Sequence, residues 1–80
     1  MLPGFAEMSR RRREFLGSLV ERRVELGLTQ TDVAARMGTS QSAVARLEAG
    51  AGDVRLSTLE RYAAALDRSI EIRLDERRSP

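Results

Sequence analysis

Apolar side chains recur at helical spacing in the first half of the chain. In residues 9–26 they lie one, three and four positions apart, as they do along one face of a helix. This inward stripe comprises Phe15, Leu16, Leu19, Val20 and Val24. We predict a helix over residues 9–26, capped by Ser9 and preceded by a flexible segment of residues 1–8, in which Pro3 and Gly4 offer little to order the backbone. The alternative is a longer helix from residue 5, in which Phe5 and Met8 extend the stripe backwards.

Residues 29–50 predict two short helices joined by a tight turn. Thr29 is a good N-cap for the first helix, and Gly38 suits the positive φ at which a chain often leaves a helix. Thr39 or Ser40 is expected to cap the second. The inward positions are Val33, Ala34 and Met37 in the first helix, and Ala43, Val44 and Leu47 in the second. Two helices connected in this way form a helix-turn-helix.

A fourth helix and a strand are predicted after a loop. Ser57 and Glu60 have the spacing of a capping box, so we predict that the helix starts at Ser57. Its inner face comprises Leu59, Tyr62, Ala63 and Leu66. Residues 69–74 then alternate with period two, which predicts a strand followed by a polar tail of residues 75–80. The apolar positions of the strand are Ile70, Ile72 and Leu74.

The predicted strand is complementary to a second copy of itself. If two copies pair antiparallel about Ile72, Ile70 faces Leu74 of the second copy and Glu71 faces Arg73. No other strand is predicted within this otherwise helical chain, so its backbone groups must find partners somewhere. The fold class is therefore all-α, with four helices and a short strand that pairs across a dimer. The alternative is an isolated strand that lies on its own domain with an unpaired edge.

Composition favours a small binding domain over an enzyme. The 80 residues carry no Cys and no His, which argues against disulfides, the usual zinc sites and most nucleophilic catalysis. We expect no cofactor and no metal. No apolar run has the length of a membrane span and no signal peptide is predicted, so we expect a cytoplasmic protein. All 14 basic residues are Arg, which suits nucleic-acid binding but also fits the codon usage of a GC-rich genome.

Four consecutive arginines at residues 10–13 have two interpretations. They could bind phosphates, or they could form a solvated helix face paired with Glu7 and Glu14. Successive helical residues lie about 100° apart, so four in a row cannot all face one DNA backbone. We favour the solvated face.

The helix-turn-helix residues and their spacing resemble the Cro/C1-type (XRE) family of phage repressors over residues 22–66. The matching residues are Gln30, Val33, Ala34, Gly38, Val44, Leu47, Glu48 and Gly50, with Leu26, Gly27 and Leu28 before them and Leu59, Ala63 and Leu66 after them. The resemblance implies a phage-repressor-like DNA-binding domain over residues 9–68. With its C-terminal strand, the layout is similar to antitoxins of the HigA and HipB type, in which two chains pair their strands in a dimer. Thr39 departs from the family, since many members carry an apolar residue there.

The resemblance also implies site residues. An arginine at the place of Arg23 pairs in the family with a glutamate at the place of Glu48, and a carboxylate beside the inward face needs such a partner. The N-terminal part of the second helix of the motif enters the major groove. The candidates for base contact are Gln41, Ser42 and Arg46, and those for contact with the DNA backbone are Gln30, Thr39, Ser40 and Arg55. The alternative is that these are only solvated helix positions.

These features support two classes of function. The first is a sequence-specific repressor that binds palindromic double-stranded DNA as a homodimer, and within it a narrower hypothesis is the antitoxin of a cognate toxin. The second is a protein-interaction module that uses the strand or the first helix to capture a toxin or another partner, with DNA binding secondary. A sparse basic patch around Gln30, Arg46 and Arg55 would favour the second.

Overall fold

Four α-helices form the structure, a computed structural model that describes residues 4–76. They are α1 (Gly4–Glu25), α2 (Gln30–Met37), α3 (Gln41–Glu48) and α4 (Leu56–Ala65). α2 packs against both α3 and α4, and α1 packs against α3. The shared core comprises Leu16, Val33, Ala34, Met37, Val44, Leu47, Tyr62, Ala65 and Leu66. The predicted all-α architecture is confirmed, with α2, its turn and α3 forming the helix-turn-helix.

The first helix begins earlier than its sequence predicts. It starts at Gly4, so residues 4–8, expected to be flexible, are helical, while residues 1–3 of the expected flexible segment lie outside the described residues. Arg10 supports the extension, because it bonds Glu7 and Glu14 at 2.8 Å each and so joins consecutive turns across position 9. Pairs of this kind also agree with the interpretation of the four arginines as a solvated helix face.

The packing face of α1 is narrower than the apolar stripe predicts. Leu16 is buried and Leu19 packs against the core, but Phe15 and Val24 are 37% and 62% exposed. The side of α1 that faces the core carries residues 16, 19 and 20. Around the helix axis, Phe15 and Val24 lie about 80–100° from Leu16, on opposite sides of it. Residues 6–15 are all exposed, so the N-terminal half of α1 extends past the core.

Capping interactions define where α2 begins, where it ends and where α3 begins. The Thr29 side chain accepts from the N–H of Asp32 at 3.0 Å, and the Asp32 carboxylate accepts from the N–H of Thr29 at 2.8 Å. This reciprocal box starts α2, and Gly38 ends it at φ 71°. Ser40 then caps α3 by accepting from the N–H of Ala43 at 3.1 Å. Thr29 and Gly38 act as predicted, and Ser40 rather than Thr39 is the cap of α3.

The capping box predicted at Ser57 is wrong. The backbone carbonyl of Arg55 accepts from the N–H groups of Thr58 and Leu59 at 3.0 and 3.1 Å, so the helix begins at Leu56. Ser57 is thus already inside the helix and lacks the extended backbone of an N-cap. Arg55 takes the N-cap position without a side-chain hydrogen bond.

Two arginines join the C-terminal ends of α2 and α4. Arg36 of α2 donates to the carbonyl of Ala65 at 2.8 Å, and Arg61 of α4 donates to the carbonyl of Met37. Each helix therefore satisfies a terminal carbonyl of the other, where cations are also favoured by the helix dipole. Asp67 follows α4 at φ 56°, at the position where the sequence lacks the glycine usual in the resembled family.

The C-terminal segment forms no strand within the single chain. Residues 68–76 contain neither helix nor strand, although a strand is predicted over residues 69–74. Four helices offer no sheet edge, so the segment has no ladder partner among the described residues. Ile70 is half-buried, whereas Ile72 is 59% exposed and Leu74 fully exposed. The apolar face of this segment is therefore open. Residues 77–80 of the predicted tail lie outside the described residues.

Candidate nucleic-acid interface

One face of α3 carries all three side chains that are candidates for base contact. Gln41, Ser42 and Arg46 are exposed, and they lie opposite Val44 and Leu47, which anchor the helix in the core. The polar face begins at the helix N-terminus and extends for about a turn and a half. This arrangement presents hydrogen-bonding groups with little bulk between them, as the major groove requires.

The turn before α3 supplies two of the candidates for backbone contact. Ser40 and Thr39 are both exposed, but the Ser40 hydroxyl already caps α3 and lies 3.2 Å from the hydroxyl of Ser42. The N–H of Thr39 donates to the carbonyl of Ala34 at 2.9 Å, which closes α2. Both residues are thus ordered parts of the turn, with Thr39 free to offer its hydroxyl.

A groove beside α3 brings two arginines together. Arg46 from α3 and Arg55 from the following loop line the same open groove, with Asp53 and Thr58 between α3 and α4. Both arginines are exposed. Two arginines and one aspartate therefore line this groove beside α3.

Behind this face lies an ion-pair cluster of Arg23, Glu48 and Tyr62. Nε and Nη2 of Arg23 donate to Oε2 and Oε1 of Glu48 at 2.7 and 3.0 Å, a bidentate pair. The Tyr62 hydroxyl also donates to Oε2. Only 13% of the Arg23 side chain and 9% of the Glu48 side chain are exposed. The predicted Arg23–Glu48 pair is therefore present and mostly buried.

The cluster keeps Glu48 ionised. Burial by itself would raise the pKa of Glu48, but hydrogen bonds from Arg23, Tyr62 and Gln30 and the charge of Arg23 outweigh it, and the pKa lies below its ordinary value. Burial and the adjacent carboxylate raise the pKa of Tyr62 well above its ordinary value. Because the folded-state pKa of Glu48 is lowered, its stabilisation is present above the unfolded-state value and is lost as pH falls through the folded-state value.

The side chain of Gln30 has partners that the sequence did not predict. Its Nε2 donates to Oε1 of Glu48 at 3.0 Å, and its Oε1 accepts from Nε2 of Gln41 at 2.7 Å. The sequence predicts a phosphate contact for this side chain, and in the structure it links the ion-pair cluster to α3. Gln30 and Thr31 are the first two residues of α2, where backbone N–H groups have no intrahelical acceptor. This end of the helix can therefore still bind an anion through its backbone.

Other features of the described residues do not add a second kind of site. Residues 4–76 contain no group of three or more His, Cys, Asp or Glu side chains that could hold a metal ion. In the same part of the chain, no helix is both long and apolar enough to cross a membrane.

The fold and this face together define an XRE-type helix-turn-helix protein. The helix-turn-helix family model matches residues 19–72, and the chain belongs to that family. Two relatives, both called antitoxin HigA1, come from Mycobacterium tuberculosis strains CDC 1551 / Oshkosh and ATCC 25618 / H37Rv. Each is 38% identical over 72 residues, which cover 90% of this chain and 48% of the relative. The chain thus spans about half the length of these relatives. No solved structure matches it significantly.

Proposed function

We propose that this protein is a transcriptional repressor that binds a palindromic operator as a homodimer. The observation that carries the proposal is the common exposed face of Gln41, Ser42 and Arg46 at the N-terminal part of α3. An α3 placed in the major groove would bring these three side chains to the base edges, while the buried side of the helix stays fixed by the core.

Each group on this face has a role in the proposal. Gln41 can bond N6 and N7 of adenine, and Arg46 can bond O6 and N7 of guanine. Arg55, Thr39, Ser40 and the N-terminal end of α2 hold phosphates on either side. Arg46 and Arg55 line one groove beside α3, and two arginines there favour DNA over a purely protein-binding role.

A narrower proposal is that the repressor is the antitoxin of a toxin–antitoxin pair. It is supported by the 38% identity to two proteins called antitoxin HigA1 and by the open C-terminal segment, which suits a small dimer. The gene beside this one should then encode a toxin. Co-expression of that neighbour with this chain should yield one complex on size-exclusion chromatography, and separate elution of the two proteins contradicts the proposal.

The alternative function, a protein-interaction module, has one supporting observation of its own. The projecting half of α1 exposes Met8 and Phe15, which are 50% and 37% accessible and seven residues apart on one face. If protein capture were the main role, complex formation with the neighbouring gene product would be lost in Phe15→Ala, and Arg46→Ala would have no phenotype in a reporter assay of repression.

Operator affinity should depend steeply on salt. A dimer should prefer inverted half-sites whose centres lie about 10 bp apart, and about six phosphate contacts give a slope near −5 for log affinity against log salt. The operator is first selected from random duplexes, and anisotropy titrations between about 50 and 200 mM salt then give the slope. A scrambled duplex of the same composition is the control. Affinity that does not change with salt contradicts DNA binding by this face.

Arg46 and Arg55 form a matched pair for separating base contacts from phosphate contacts. Arg46→Ala should relax preference at one or two base positions, at a cost of about 1–3 kcal/mol for the preferred site. Arg55→Ala should weaken binding to all sequences alike and reduce the salt slope by about 2, because a dimer loses two phosphate contacts. Selection followed by sequencing measures the first effect and anisotropy the second. An unchanged preferred site in Arg46→Ala shows that its assignment is wrong.

A further inference from the structure

We infer that Arg12 and Arg13 bind DNA phosphates, so that the projecting half of α1 extends the DNA-binding surface beyond the helix-turn-helix. The inference rests on the proposed function and adds to it a surface that this function does not use. Four residues of α1 lie at positions i, i+3, i+4 and i+7 and therefore share one side of the helix. We call them the α1 stripe: Ser9, Arg12, Arg13 and Leu16.

The structure divides the four consecutive arginines into two pairs. Arg10 and Arg11 both bond Glu7, at 2.8 and 3.1 Å, so these two fit the interpretation as a solvated helix face. Arg12 and Arg13, the stripe arginines, are exposed and form no ion pair within the described part of the chain. A phosphate can therefore bind them without breaking an internal ion pair of residues 4–76.

Leu16 shows which side of α1 the stripe arginines occupy. It is buried, and its Cδ1 lies 3.4 Å from the point where a Cβ on Gly50 would lie. Gly50 is in the loop that leads from α3 to Arg55. Around the helix axis, the stripe arginines lie only about 40° and 60° from Leu16, and about 5–6 Å nearer the N-terminus. The two arginines that bond Glu7 lie about 120° and 140° from Leu16, on the far side of the helix.

The stripe therefore continues a surface that is already proposed to bind the DNA backbone. Arg55 is exposed in the loop beside Leu16 and is a proposed phosphate contact. Each DNA strand carries a phosphate about every 3.4 Å along the helix axis, so a strand that reaches Arg55 offers further phosphates to a neighbouring basic surface. The carboxylate of this loop, Asp53, forms no ion pair with either stripe arginine.

The chemistry of the stripe favours DNA over a protein partner. Beyond Leu16 the stripe presents two guanidinium groups and a hydroxyl, and no apolar side chain. The centre of a protein interface is usually depleted in charged residues, whereas arginine is well suited to phosphate. The exposed apolar residues of this half of the helix, Met8 and Phe15, lie about 80–100° from Leu16, on a neighbouring face.

The test compares two double variants of the full chain that remove the same charge from the same helix. R12Q/R13Q changes the stripe, R10Q/R11Q changes the arginines that bond Glu7, and glutamine keeps a good helix propensity in both. Anisotropy titrations with the selected operator and with a scrambled duplex are repeated at several salt concentrations. R12Q/R13Q should bind both duplexes at least about tenfold more weakly at about 100 mM salt, because these contacts do not depend on base sequence. R10Q/R11Q should lose less than about threefold, since its charges face away from the DNA and are screened.

The salt slope gives a second readout. A slope near −5 counts the contacts of the helix-turn-helix and its loops, and four stripe contacts in a dimer should make the wild-type slope steeper by about 3–4. R12Q/R13Q should return the slope to near −5, and R12K/R13K, which keeps the charges, should retain the wild-type slope.

Duplexes with a single uncharged methylphosphonate link locate the contacts. A link placed at a phosphate bound by the stripe should weaken the wild type and leave R12Q/R13Q unchanged. The phosphates found in this way should adjoin those found by the same comparison with Arg55→Ala, because the stripe lies beside the loop of Arg55.

Circular dichroism confirms that each variant is folded, as expected for substitutions at exposed positions. A wild-type slope in R12Q/R13Q, or an equal loss of affinity in R10Q/R11Q, overturns the inference and leaves the proposed function intact. Unchanged DNA binding with loss of the complex with the neighbouring gene product assigns the stripe to a protein partner and also overturns it. A wild type whose binding does not depend on salt overturns the proposed function and this inference together.

Discussion

Replacing Arg23 with alanine should lower the free energy of unfolding by about 3–5 kcal/mol, because Glu48 would keep a charge in a site that is largely closed to water. The side chains are 13% and 9% exposed, and Arg23 supplies two of the four hydrogen bonds to the carboxylate. A folded domain of 80 residues has about 4–12 kcal/mol in total, so the variant should be close to unfolding at room temperature. Urea titration followed by circular dichroism measures the loss.

The matched control is Arg10→Ala. Arg10 lies in the same helix and bonds two carboxylates at 2.8 Å, but its side chain is 52% exposed. Its removal should cost little, since solvent screens such pairs. Equal small losses from Arg23→Ala and Arg10→Ala would show that the buried pair is no stronger than a surface one.

Removing the whole ion-pair cluster should cost much less than breaking it. The triple variant R23M/E48L/Y62F takes away the charge, its partner and the hydroxyl that bonds it, so no buried ion or unpaired hydroxyl remains in the cluster. Apolar replacement of a buried pair is often close to neutral. A triple variant as unstable as Arg23→Ala would show that packing around the cluster, rather than the stranded charge, determines stability.

Features that depend on neighbouring residues could be predicted from the sequence. Thr29 and Gly38 act at the ends of α2 as predicted, because capping uses atoms within a few residues of the helix end. The box at Ser57 failed for a reason that is also local. The spacing of Ser57 and Glu60 fits a cap, but the helix already starts one residue earlier, on the carbonyl of Arg55.

Features that depend on how helices cross could not be predicted in the same way. The apolar pattern alone predicts burial for both Phe15 and Leu16. The positions of the other helices determine that Leu16 is buried and Phe15 is exposed. Gln30 and Gln41 each open a helix, but their contact joins residues eleven positions apart and requires the α2–α3 turn to close first. The Arg23–Glu48 pair, 25 positions apart, came from family resemblance rather than from the pattern.

Replacing Ile72 with proline should abolish the proposed dimer and strongly weaken binding to the proposed operator. The apolar face of the C-terminal segment is open, with Ile72 59% exposed and Leu74 fully exposed, and a second copy can cover it through an antiparallel pair. Proline removes the N–H of residue 72 and fixes its φ, which opposes a strand at the symmetry axis. Light scattering gives the mass and anisotropy the affinity. Residue 72 lies outside all four helices, so the domain itself should stay folded.

The charges beside Ile72 test the register of that pair. With the axis at Ile72, Glu71 faces Arg73 of the second copy, and the contact is made twice. Glu71→Arg should therefore set like charges face to face and weaken the dimer, whereas E71R/R73E should restore opposite charges and the wild-type mass. Ile72→Val keeps the N–H and the branched side chain, so it should remain dimeric. An Ile72→Pro variant that stays dimeric with full affinity places the dimer contact elsewhere, and a double variant as weak as Glu71→Arg excludes this register.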